Sequence, residues 1–337
     1  MNRPTAGVKC ERGGAEAGAM SGYVVEFTDV QEAVGRLAGM ALRTPVLTSP
    51  VLDEAAGCSL FLKCEHMQRV GAFKFRGAWN AISALSEEEA ARGVCTHSSG
   101  NHAQAVALAA KERGIRAWVV MPENAAAIKR EAVLGHGAEV IICESTLAAR
   151  ESTVAEVIER TGAVMVHPYD NPKVIAGQAT AALELIDEVG ELDAIVAPVG
   201  GGGLLAGSCI SGRALLPDVR MFAAEPEGAD DAARSLAAGH IIPQTGPDTI
   251  CDGLLTSLGE LTWPILRDHL ETVITVSDDE VIAAMRLLNE STGNIAEPSG
   301  AASLAAVLNE RFKELAGIER VGVIISGGNI AAEDLPF

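Results

Sequence analysis

The sequence predicts an α/β protein in which parallel β-sheets are covered by helices on both faces. Runs of β-branched and apolar residues recur along the chain, and a longer amphipathic segment follows most of them. The predicted strands are Ser59–Lys63, Gly93–His97, Arg116–Met121, Glu139–Cys143, Val164–His167, Ala194–Pro198, Met221–Glu225, Val273–Val276 and Val321–Ser326. Repeated passage from strand to helix builds parallel sheets. Such sheets bind ligands beyond the carboxyl ends of their strands.

The segments between the strands have the periodicity of helices. The clearest are His102–Arg113, Ala126–Leu134, Leu147–Arg160, Ile175–Val189 and Asp278–Glu290. The chain has 337 residues, of which 48% are hydrophobic, which is enough for two domains or one large α/β unit. The first residues, Met1–Gly22, are rich in glycine and alanine and lack the apolar core of a signal peptide, so they predict a disordered tail.

The charge and the cysteines exclude several classes of partner and site. A formal net charge of −19 argues against a nucleic-acid backbone or an anionic membrane surface as partner. No segment reaches the ~18 apolar residues of a membrane span.

The seven cysteines are scattered, odd in number and without a Cys-x-x-Cys pair. This pattern favours reduced thiols in the cytoplasm over disulfides or a zinc site.

A run of four glycines follows one of the buried strands. Gly200-Gly201-Gly202-Gly203 comes directly after Ala194–Val199 and before a helical segment that starts at Leu204. Glycines let successive backbone N–H groups turn onto an anion, and the N-terminus of a helix adds partial positive charge. The run therefore predicts a cradle for a phosphate group.

Two other readings of the glycine run stay open at this point. One is a flexible turn. The other is a dinucleotide site, because Gly201, Gly203 and Ala206 fit the pattern G-x-G-x-x-A and Glu225 ends the next strand, where a ribose-binding carboxylate would lie. A P-loop is excluded, since no Lys-Ser or Lys-Thr follows the glycines.

Lys74 is the candidate that separates these readings. It lies in Ala72-Phe73-Lys74-Phe75, shortly after the strand Ser59–Lys63, and its phenylalanine neighbours predict partial burial. Desolvation lowers the pKa of a lysine and frees its neutral amine to form an imine. The alternative is an ordinary solvated surface charge. An imine-forming lysine combined with a phosphate cradle indicates pyridoxal 5'-phosphate as cofactor.

A short polar loop opens the helix after another strand. Ser98-Ser99-Gly100-Asn101-His102 directly follows Gly93–His97. Small hydroxyls, a glycine and free N–H groups at the N-terminus of a helix suit a carboxylate. The alternative is an ordinary helix cap, because serine and asparagine are preferred there.

Together these motifs resemble the fold-type II pyridoxal 5'-phosphate enzymes of the serine/threonine dehydratase and serine racemase family. The resemblance runs from roughly Thr28 to Asn329. It rests on Lys63-Cys64-Glu65-x-x-Gln68-x-x-Gly71-Ala72-Phe73-Lys74-x-Arg76-Gly77-Ala78, Thr96-His97-Ser98-Ser99-Gly100-Asn101-His102, Pro198-Val199-Gly200-Gly201-Gly202-Gly203 and Ser326-Gly327-Gly328-Asn329. It implies a tryptophan synthase β-like fold of two parallel-sheet domains with the cofactor in the cleft between them. The implied large domain comprises residues 23–90 and 170–337, and the small domain comprises residues 91–169.

The resemblance assigns a role to each cofactor-binding position. Lys74 matches the Schiff-base lysine, and Phe73 matches the residue that packs on the face of the cofactor ring. Asn101 matches the amide that hydrogen-bonds the ring hydroxyl. Gly200-Gly201-Gly202-Gly203 matches the phosphate cradle, and Ser326 matches the hydroxyl that faces the pyridine nitrogen.

The resemblance also implies residues for substrate. The loop Ser98-Ser99-Gly100-Asn101-His102 matches the loop that binds the substrate carboxylate. In serine racemases its second serine, here Ser99, is the acid and base on the ring face opposite the lysine. Arg150 matches an arginine near the side-chain end of the substrate, with a solvated helix charge as the alternative.

The family pattern also implies a metal site, and the sequence differs from that pattern at one position near the candidate site. The family pattern Glu-Pro-x-x-Ala-x-Asp reads Glu225 to Asp231 here and implies Mg²⁺ or Ca²⁺ held by Glu225, Asp231 and the carbonyl of Ala229. The alternative is an acidic surface turn. Tyr169 stands where mammalian-type serine racemases have an asparagine after His-Pro, which argues against a dedicated racemase.

The activity that the resemblance implies is that of an ammonia-lyase. Such an enzyme eliminates the β-hydroxyl of a 3-hydroxy amino acid and yields a 2-oxo acid and ammonia. The substrate stays open among L-threonine, L-serine and 3-hydroxyaspartate. The alternative function is a serine racemase with side dehydratase activity. A homodimer that acts on a small amino acid is expected.

Overall fold

The computed structural model describes residues 22–125 and 127–337 and has the predicted α/β architecture. Its strands form two separate sheets, one of six strands and one of four. The strands are β1 (Val46–Leu47), β2 (Ser59–Cys64), β3 (Val94–His97), β4 (Ala117–Pro122), β5 (Glu139–Cys143), β6 (Val164–Met165), β7 (Ala194–Pro198), β8 (Arg220–Pro226), β9 (Leu270–Val276) and β10 (Arg320–Ile325). All nine predicted strands are confirmed, with small shifts at their ends.

Both sheets are built mainly from parallel pairs. The large sheet has the order β1-β2-β10-β7-β8-β9, and the small sheet has the order β5-β4-β3-β6. Only β1 runs antiparallel to its neighbour, through the partners Val46 with Lys63 and Leu47 with Leu62. The chain therefore leaves the large sheet after β2, builds the small sheet, and returns to finish the large one.

Fourteen helices connect and cover the strands in the described part of the chain. They are α1 (Phe27–Leu37), α2 (Pro50–Ala56), α3 (Lys74–Ser83), α4 (Glu87–Arg92), α5 (Asn101–Arg113), α6 (Ala127–Gly135), α7 (Leu147–Thr161), α8 (Pro172–Val189), α9 (Gly203–Leu215), α10 (Asp231–Ala238), α11 (Trp263–His269), α12 (Asp278–Thr292), α13 (Pro298–Leu308) and α14 (Glu310–Lys313). The five predicted helices are confirmed as α5, α6, α7, α8 and α12, although Ala126 itself lies outside the described residues.

Helices cover both faces of each sheet, as parallel sheets require. On one face of the large sheet lie α1, α8, α9 and α11, and on the other lie α2, α12 and α13. The small sheet packs against α3 and α5 on one face and α7 on the other. The central strand β7 is buried along its whole length. The loops that follow the strands are therefore the parts left free to bind a ligand.

A buried ion-pair network fixes the segment that carries Lys74. Arg76 is fully buried and bonds Glu65 (Nε to Oε2, 2.8 Å) and Glu184 (Nη2 to Oε2, 2.7 Å). Lys63, also fully buried, donates to the same Glu184 at 2.7 Å and to the carbonyl of Thr44. Buried charges persist only when they are paired in this way, so β2, α3 and α8 are held in one arrangement.

Several expectations concern features outside the two sheets. Apart from Gly22, the predicted tail lies outside the described residues, and so does Cys10. The other six cysteines are free thiols. Within residues 22–125 and 127–337, no helix is both long enough and apolar enough to cross a membrane.

Candidate active site

The loop before α3 and the loop after β10 are joined by backbone contacts. Ala72 forms a β-bridge with Gly327, and the N–H of Phe73 donates to the carbonyl of Ser326 at 3.0 Å. The N–H of Gly328 donates to the carbonyl of Gly71 at 2.9 Å. Two of the four predicted motifs therefore lie side by side.

The loop before α3 also holds a strained residue. Val70 has a φ of 56°, a left-handed conformation that a β-branched residue rarely adopts. Its carbonyl accepts a hydrogen bond of 2.7 Å from Nδ2 of Asn329. A Cβ at Gly71 would lie 2.3 Å from Oδ1 of Asn329, so only glycine allows this approach. Strain of this kind persists where the surroundings enforce it, and it concentrates at functional sites.

Lys74 begins α3, and its amine contacts the segment that follows β6. Its Nζ donates to the carbonyl of Pro168 at 2.9 Å and lies 5.0 Å from the centre of the Phe73 ring. Burial lowers the pKa of Lys74 to about 8, while the carboxylate of Glu297 acts in the opposite direction. A larger fraction of neutral amine is therefore available near neutral pH than for an ordinary lysine.

The polar loop after β3 opens α5, as predicted. The helix begins at Asn101, and no side chain caps it at Gly100. The N–H of Gly100 instead meets Oγ of Ser98 at 3.3 Å. Ser98, Ser99 and Asn101 are partly exposed, so the loop keeps polar groups on the surface. The reading of this loop as an ordinary side-chain cap is therefore wrong.

His102, the last residue of that loop, is buried in the small-sheet region. Its Nε2 donates to the carbonyl of Val166 at 2.9 Å, and its Nδ1 has no partner among the described residues. Burial holds the pKa of His102 well below its usual value, and the positive charge of Lys74 lowers it further. The ring is thus a neutral imidazole.

Asn101 lies between two polar side chains of the large-sheet region. Its Nδ2 donates to Oε1 of Glu297, and its Oδ1 accepts from Nδ2 of Asn329, both at 2.7 Å. Burial raises the pKa of Glu297 to about 7. Sequence reasoning missed Glu297, because a glutamate before a proline at the start of a helix gives no local signal of a site.

Ser326 follows β10 and is buried, with 4% of its surface exposed. Its Oγ donates a long hydrogen bond of 3.4 Å to the carbonyl of Ser299. No carboxylate bonds this hydroxyl in the described part of the chain. Ser326 is therefore a neutral group beside the Lys74 loop.

The glycine run has the geometry of an anion cradle. The backbone N–H groups of Gly200-Gly201-Gly202-Gly203 donate no hydrogen bond to the residues that the structure describes. Gly202 has a φ of 88° and precedes α9, so the positive end of that helix also faces the loop. Unpaired N–H groups at a helix N-terminus fit a phosphate.

Tyr169 packs directly on this cradle. A Cβ at Gly201 would lie 2.2 Å from Cγ of the Tyr169 ring, and a Cβ at Gly203 would lie 3.0 Å from its Cα. The next residue, Asp170, accepts hydrogen bonds from the backbone N–H groups of Glu260 and Leu261 at 3.2 and 2.8 Å. The residue that departs from the racemase pattern is therefore part of the site.

Arg150 lies on α7 near the end of β3. Its side chain is half-buried, and its Nε donates to the carbonyl of Thr146 at 3.4 Å. Burial lowers the pKa of His97, the residue just before Ser98, and the charge of Arg150 is the second cause. A fixed positive charge thus lies beside the predicted substrate loop.

The predicted metal ligands form a buried acidic pair at the end of β8. Oε1 and Oε2 of Glu225 accept from the backbone N–H groups of Ala232 and Ala233 at 2.7 and 2.9 Å, and Oδ2 of Asp231 accepts from Leu258 at 3.3 Å. Burial raises the pKa of Glu225 to about 8 and that of Asp231 to about 6. Both groups are buried, so the reading as an acidic surface turn is wrong. Glu225 thus accepts hydrogen bonds from the first turn of α10.

Comparison with known proteins gives consistent results. Residues 37–327 match the family model described as pyridoxal-phosphate dependent enzyme. The chain is 50% identical over 308 residues to serine racemase of Dictyostelium discoideum, covering 91% of this chain and 95% of that protein. It is 46% identical over 315 residues to beta-hydroxyaspartate dehydratase of Paracoccus denitrificans, covering 94% and 99%. The structure of maize serine racemase superposes with a TM-score of 0.91 at 46% identity, covering 92% and 95%.

Proposed function

This chain belongs to the family of pyridoxal-phosphate dependent enzymes, and on that premise we propose that it is an ammonia-lyase acting on a 3-hydroxy amino acid. The dinucleotide reading of the glycine run is thereby excluded. The observation that carries the proposal is the position of Lys74. Its desolvated amine bonds the carbonyl of Pro168, next to the tyrosine that packs on the glycine run, and its neighbour Phe73 bonds the backbone of Ser326.

The residues of the site fit the cofactor. The unpaired N–H groups of Gly200-Gly201-Gly202-Gly203 would hold its phosphate, and Lys74 would hold its aldehyde carbon. Ser326 would face the ring nitrogen with a neutral hydroxyl, and the ring of Phe73 would pack on the cofactor face. When bound, pyridoxal phosphate supplies an electron sink for the charge that develops at the α-carbon of the substrate.

The chain's own groups then decide the outcome of the reaction. The Lys74 amine would remove the α-proton as a general base, for which a pKa near the working pH is suitable. Ser326 is a hydroxyl and not a carboxylate, so it would not stabilise a positive charge on the ring nitrogen. Negative charge at the α-carbon would then be relieved by loss of the β-hydroxyl. The β-hydroxyl would leave as water with the proton that Lys74 has taken, and later hydrolysis of the product would release ammonia and a 2-oxo acid.

Racemisation is the second candidate activity, and Ser99 is the residue that favours it. Ser99 lies in the partly exposed loop before α5. A proton delivered by its hydroxyl to the face of the α-carbon opposite Lys74 would invert the amino acid. The identity to serine racemase of Dictyostelium discoideum supports this reading. Loss of the β-hydroxyl and inversion are then competing fates of the same deprotonated substrate.

Two features bear on substrate and metal. The half-buried cation Arg150 beside His97 suits a substrate with a second carboxylate, and a relative named beta-hydroxyaspartate dehydratase supports 3-hydroxyaspartate.

Glu225, Asp231 and the carbonyl of Ala229 offer the hard oxygen donors that Mg²⁺ and Ca²⁺ prefer. The cation would neutralise two buried carboxylates and would therefore stabilise the end of β8.

The test is a substrate panel on purified protein loaded with pyridoxal phosphate. Keto acid and ammonia are measured with L-serine, L-threonine and 3-hydroxyaspartate, and D-serine is measured by chiral chromatography. We expect keto acid from at least one substrate, with 3-hydroxyaspartate preferred. Absence of a visible absorbance band and of any product from all three would overturn the proposal. A homodimer and a cytoplasmic location stay predictions, the first of which sedimentation measurements would test.

A further inference from the structure

A line of hydrogen bonds, which we name the amide relay, crosses the candidate site. It consists of the carbonyl of Val70 and the side chains of Asn329, Asn101 and Glu297. Each of its three hydrogen bonds measures 2.7 Å. The relay joins the loop before α3, the start of α5 and the start of α13, so it links the two sheet regions at the site.

The relay fixes the orientation of the Asn101 amide. An asparagine amide has one carbonyl acceptor and two N–H donors. At Asn101 the carbonyl is taken by the Asn329 donor, and one N–H is taken by the Glu297 carboxylate. A half-turn of the amide would place donor against donor and acceptor against acceptor. The second N–H has no partner among the residues that the structure describes, and Asn101 is partly exposed at the site.

Glu297, which bonds this amide, is itself fixed by burial and by a backbone hydrogen bond. Only 6% of its surface is exposed, and its backbone N–H donates to the carbonyl of Gly327 at 3.1 Å. A Cβ at Gly327 would lie 2.2 Å from Oε1 of Glu297, so the glycine makes room for the carboxylate. The charged groups that act on this carboxylate are Asp252 and Lys129, and it acts in turn on Lys74.

We propose that Glu297 is a positioning residue, which holds the Asn101 amide so that its remaining N–H faces the ring hydroxyl of the cofactor. The inference rests on the proposed function, because the bound cofactor is the group that this N–H would meet. In this role Glu297 acts on the cofactor through Asn101, which its carboxylate bonds at 2.7 Å, and not through its charge on Lys74. Its contribution therefore depends on the presence of the Asn101 side chain.

A double-mutant cycle on cofactor affinity tests this dependence. Apoprotein of the wild type, Glu297→Leu, Asn101→Ala and the double variant is titrated with pyridoxal phosphate, and Kd is taken from the absorbance change. We expect each single change to weaken binding about fivefold, as for one net hydrogen bond. The double variant should bind no more weakly than Asn101→Ala. If the fold loss of affinity in the double variant equals the product of the losses in the two single variants, the inference is overturned.

The variant Glu297→Gln separates the acceptor from the charge. Its amide oxygen can accept from Asn101 in place of the carboxylate, so we expect an affinity close to that of the wild type and an unchanged visible spectrum. A loss as large as that of Glu297→Leu would show that the charge of Glu297, which raises the pKa of Lys74, sets the affinity and that the bond to Asn101 does not, and it would overturn the positioning role. This variant also keeps the test valid if Glu297→Leu fails to fold. Glu310→Gln, an exposed change in α14, is the control.

Failure of the inference is distinguishable from failure of the proposed function. A wild type that binds no pyridoxal phosphate removes the proposed function and this inference together. A wild type that binds the cofactor and gives multiplied losses in the cycle removes only the role of Glu297.

Discussion

The Nζ of Lys74 donates a hydrogen bond of 2.9 Å to the carbonyl of Pro168, which joins the first residue of α3 to the segment after β6. That segment continues into Tyr169, whose ring lies on the glycine cradle. A single short stretch of chain between the two sheets therefore contacts both the candidate base and the candidate phosphate site. Changes in either place are expected to affect the other.

The first prediction concerns the lysine itself. Lys74→Ala should lower kcat by at least about a hundredfold, because it removes the candidate general base. It should also abolish the visible absorbance that the cofactor acquires in its covalent link to the protein. Activity and absorbance spectra of the purified variant check both effects. Lys111→Ala, an exposed change on α5, is the control. A wild-type level of borohydride-reducible cofactor in Lys74→Ala would assign the link to another residue.

The second prediction concerns the contact between Gly201 and Tyr169. Gly201→Ala would place a Cβ 2.2 Å from Cγ of the ring, so we expect a loss of about 1–3 kcal/mol in the free energy of unfolding and weaker cofactor binding. Tyr169→Ala should relieve the clash in the double variant. Gly35→Ala, where a Cβ meets open space, is the control. Urea unfolding measures each effect, and equal losses with and without the tyrosine would contradict the contact.

The third prediction concerns Ser99. Ser99→Ala should suppress racemisation of L-serine more than it suppresses keto-acid formation, because elimination needs only Lys74 while inversion needs a proton on the opposite face. Measuring D-serine and pyruvate from the same reaction gives the ratio directly. Equal loss of both products would mean that Ser99 only holds the loop.

The fourth prediction concerns Arg150. Loss of one partner of a desolvated charge pair costs about 2–5 kcal/mol, so Arg150→Ala should lower kcat/KM for 3-hydroxyaspartate by that amount of transition-state binding. Turnover of L-serine and L-threonine should change far less. Arg160→Ala, an exposed arginine on the same helix, is the matched control. A small and uniform loss on all three substrates would remove Arg150 from the site.

The fifth prediction concerns pH and metal. The raised pKa of Glu225, about 8, means that the folded state binds more protons than the unfolded state from about pH 4.5 upward. Without metal, this group's contribution to the free energy of unfolding should therefore fall as pH rises through this range to about pH 8. Mg²⁺ or Ca²⁺ should reduce that fall and raise Tm with increasing free metal.

Thermal unfolding with EDTA or added metal, repeated from about pH 5 to about pH 8, measures the metal effect. Glu225→Gln and Asp231→Asn should lose the response to metal. Asp230→Asn should keep it, since the side chain of Asp230 bonds Arg234. If neither EDTA nor added metal changes Tm at any pH, the acidic pair is not a metal site.

The parts of the fold that the sequence predicted are those with a strong local signal. Ala194–Pro198 is a continuous apolar run that ends at glycines, and it was placed correctly as a buried strand. The strand β1 has only two residues, too few to show the alternation of apolar and polar residues that predicts a strand. It forms by pairing with β2, so the sequence does not predict it. The convergence of the strand-end loops was predictable, since parallel strands present their carboxyl ends at one edge.

The parts of the site that were missed depend on contacts between distant segments. Nothing in the sequence around Glu297 shows that its carboxylate bonds Asn101, which lies 196 positions earlier. The sequence shows that Tyr169 departs from a family pattern, but its packing on Gly201 is visible only in three dimensions. The identities of chemical groups follow from sequence motifs, whereas the groups that orient them follow from packing.

The order of strands has a consequence for how this protein is made. The last strand along the chain, β10, lies in the interior of the large sheet between β2 and β7. On a ribosome, β2 emerges 261 residues before the partner that it needs, since Ser59 pairs with Arg320. The large sheet therefore cannot close until synthesis is nearly complete, and a chain cut short before Arg320 would expose two unpaired inner edges. Such truncated chains should be insoluble, whereas cuts after Asn329 should be tolerated far better.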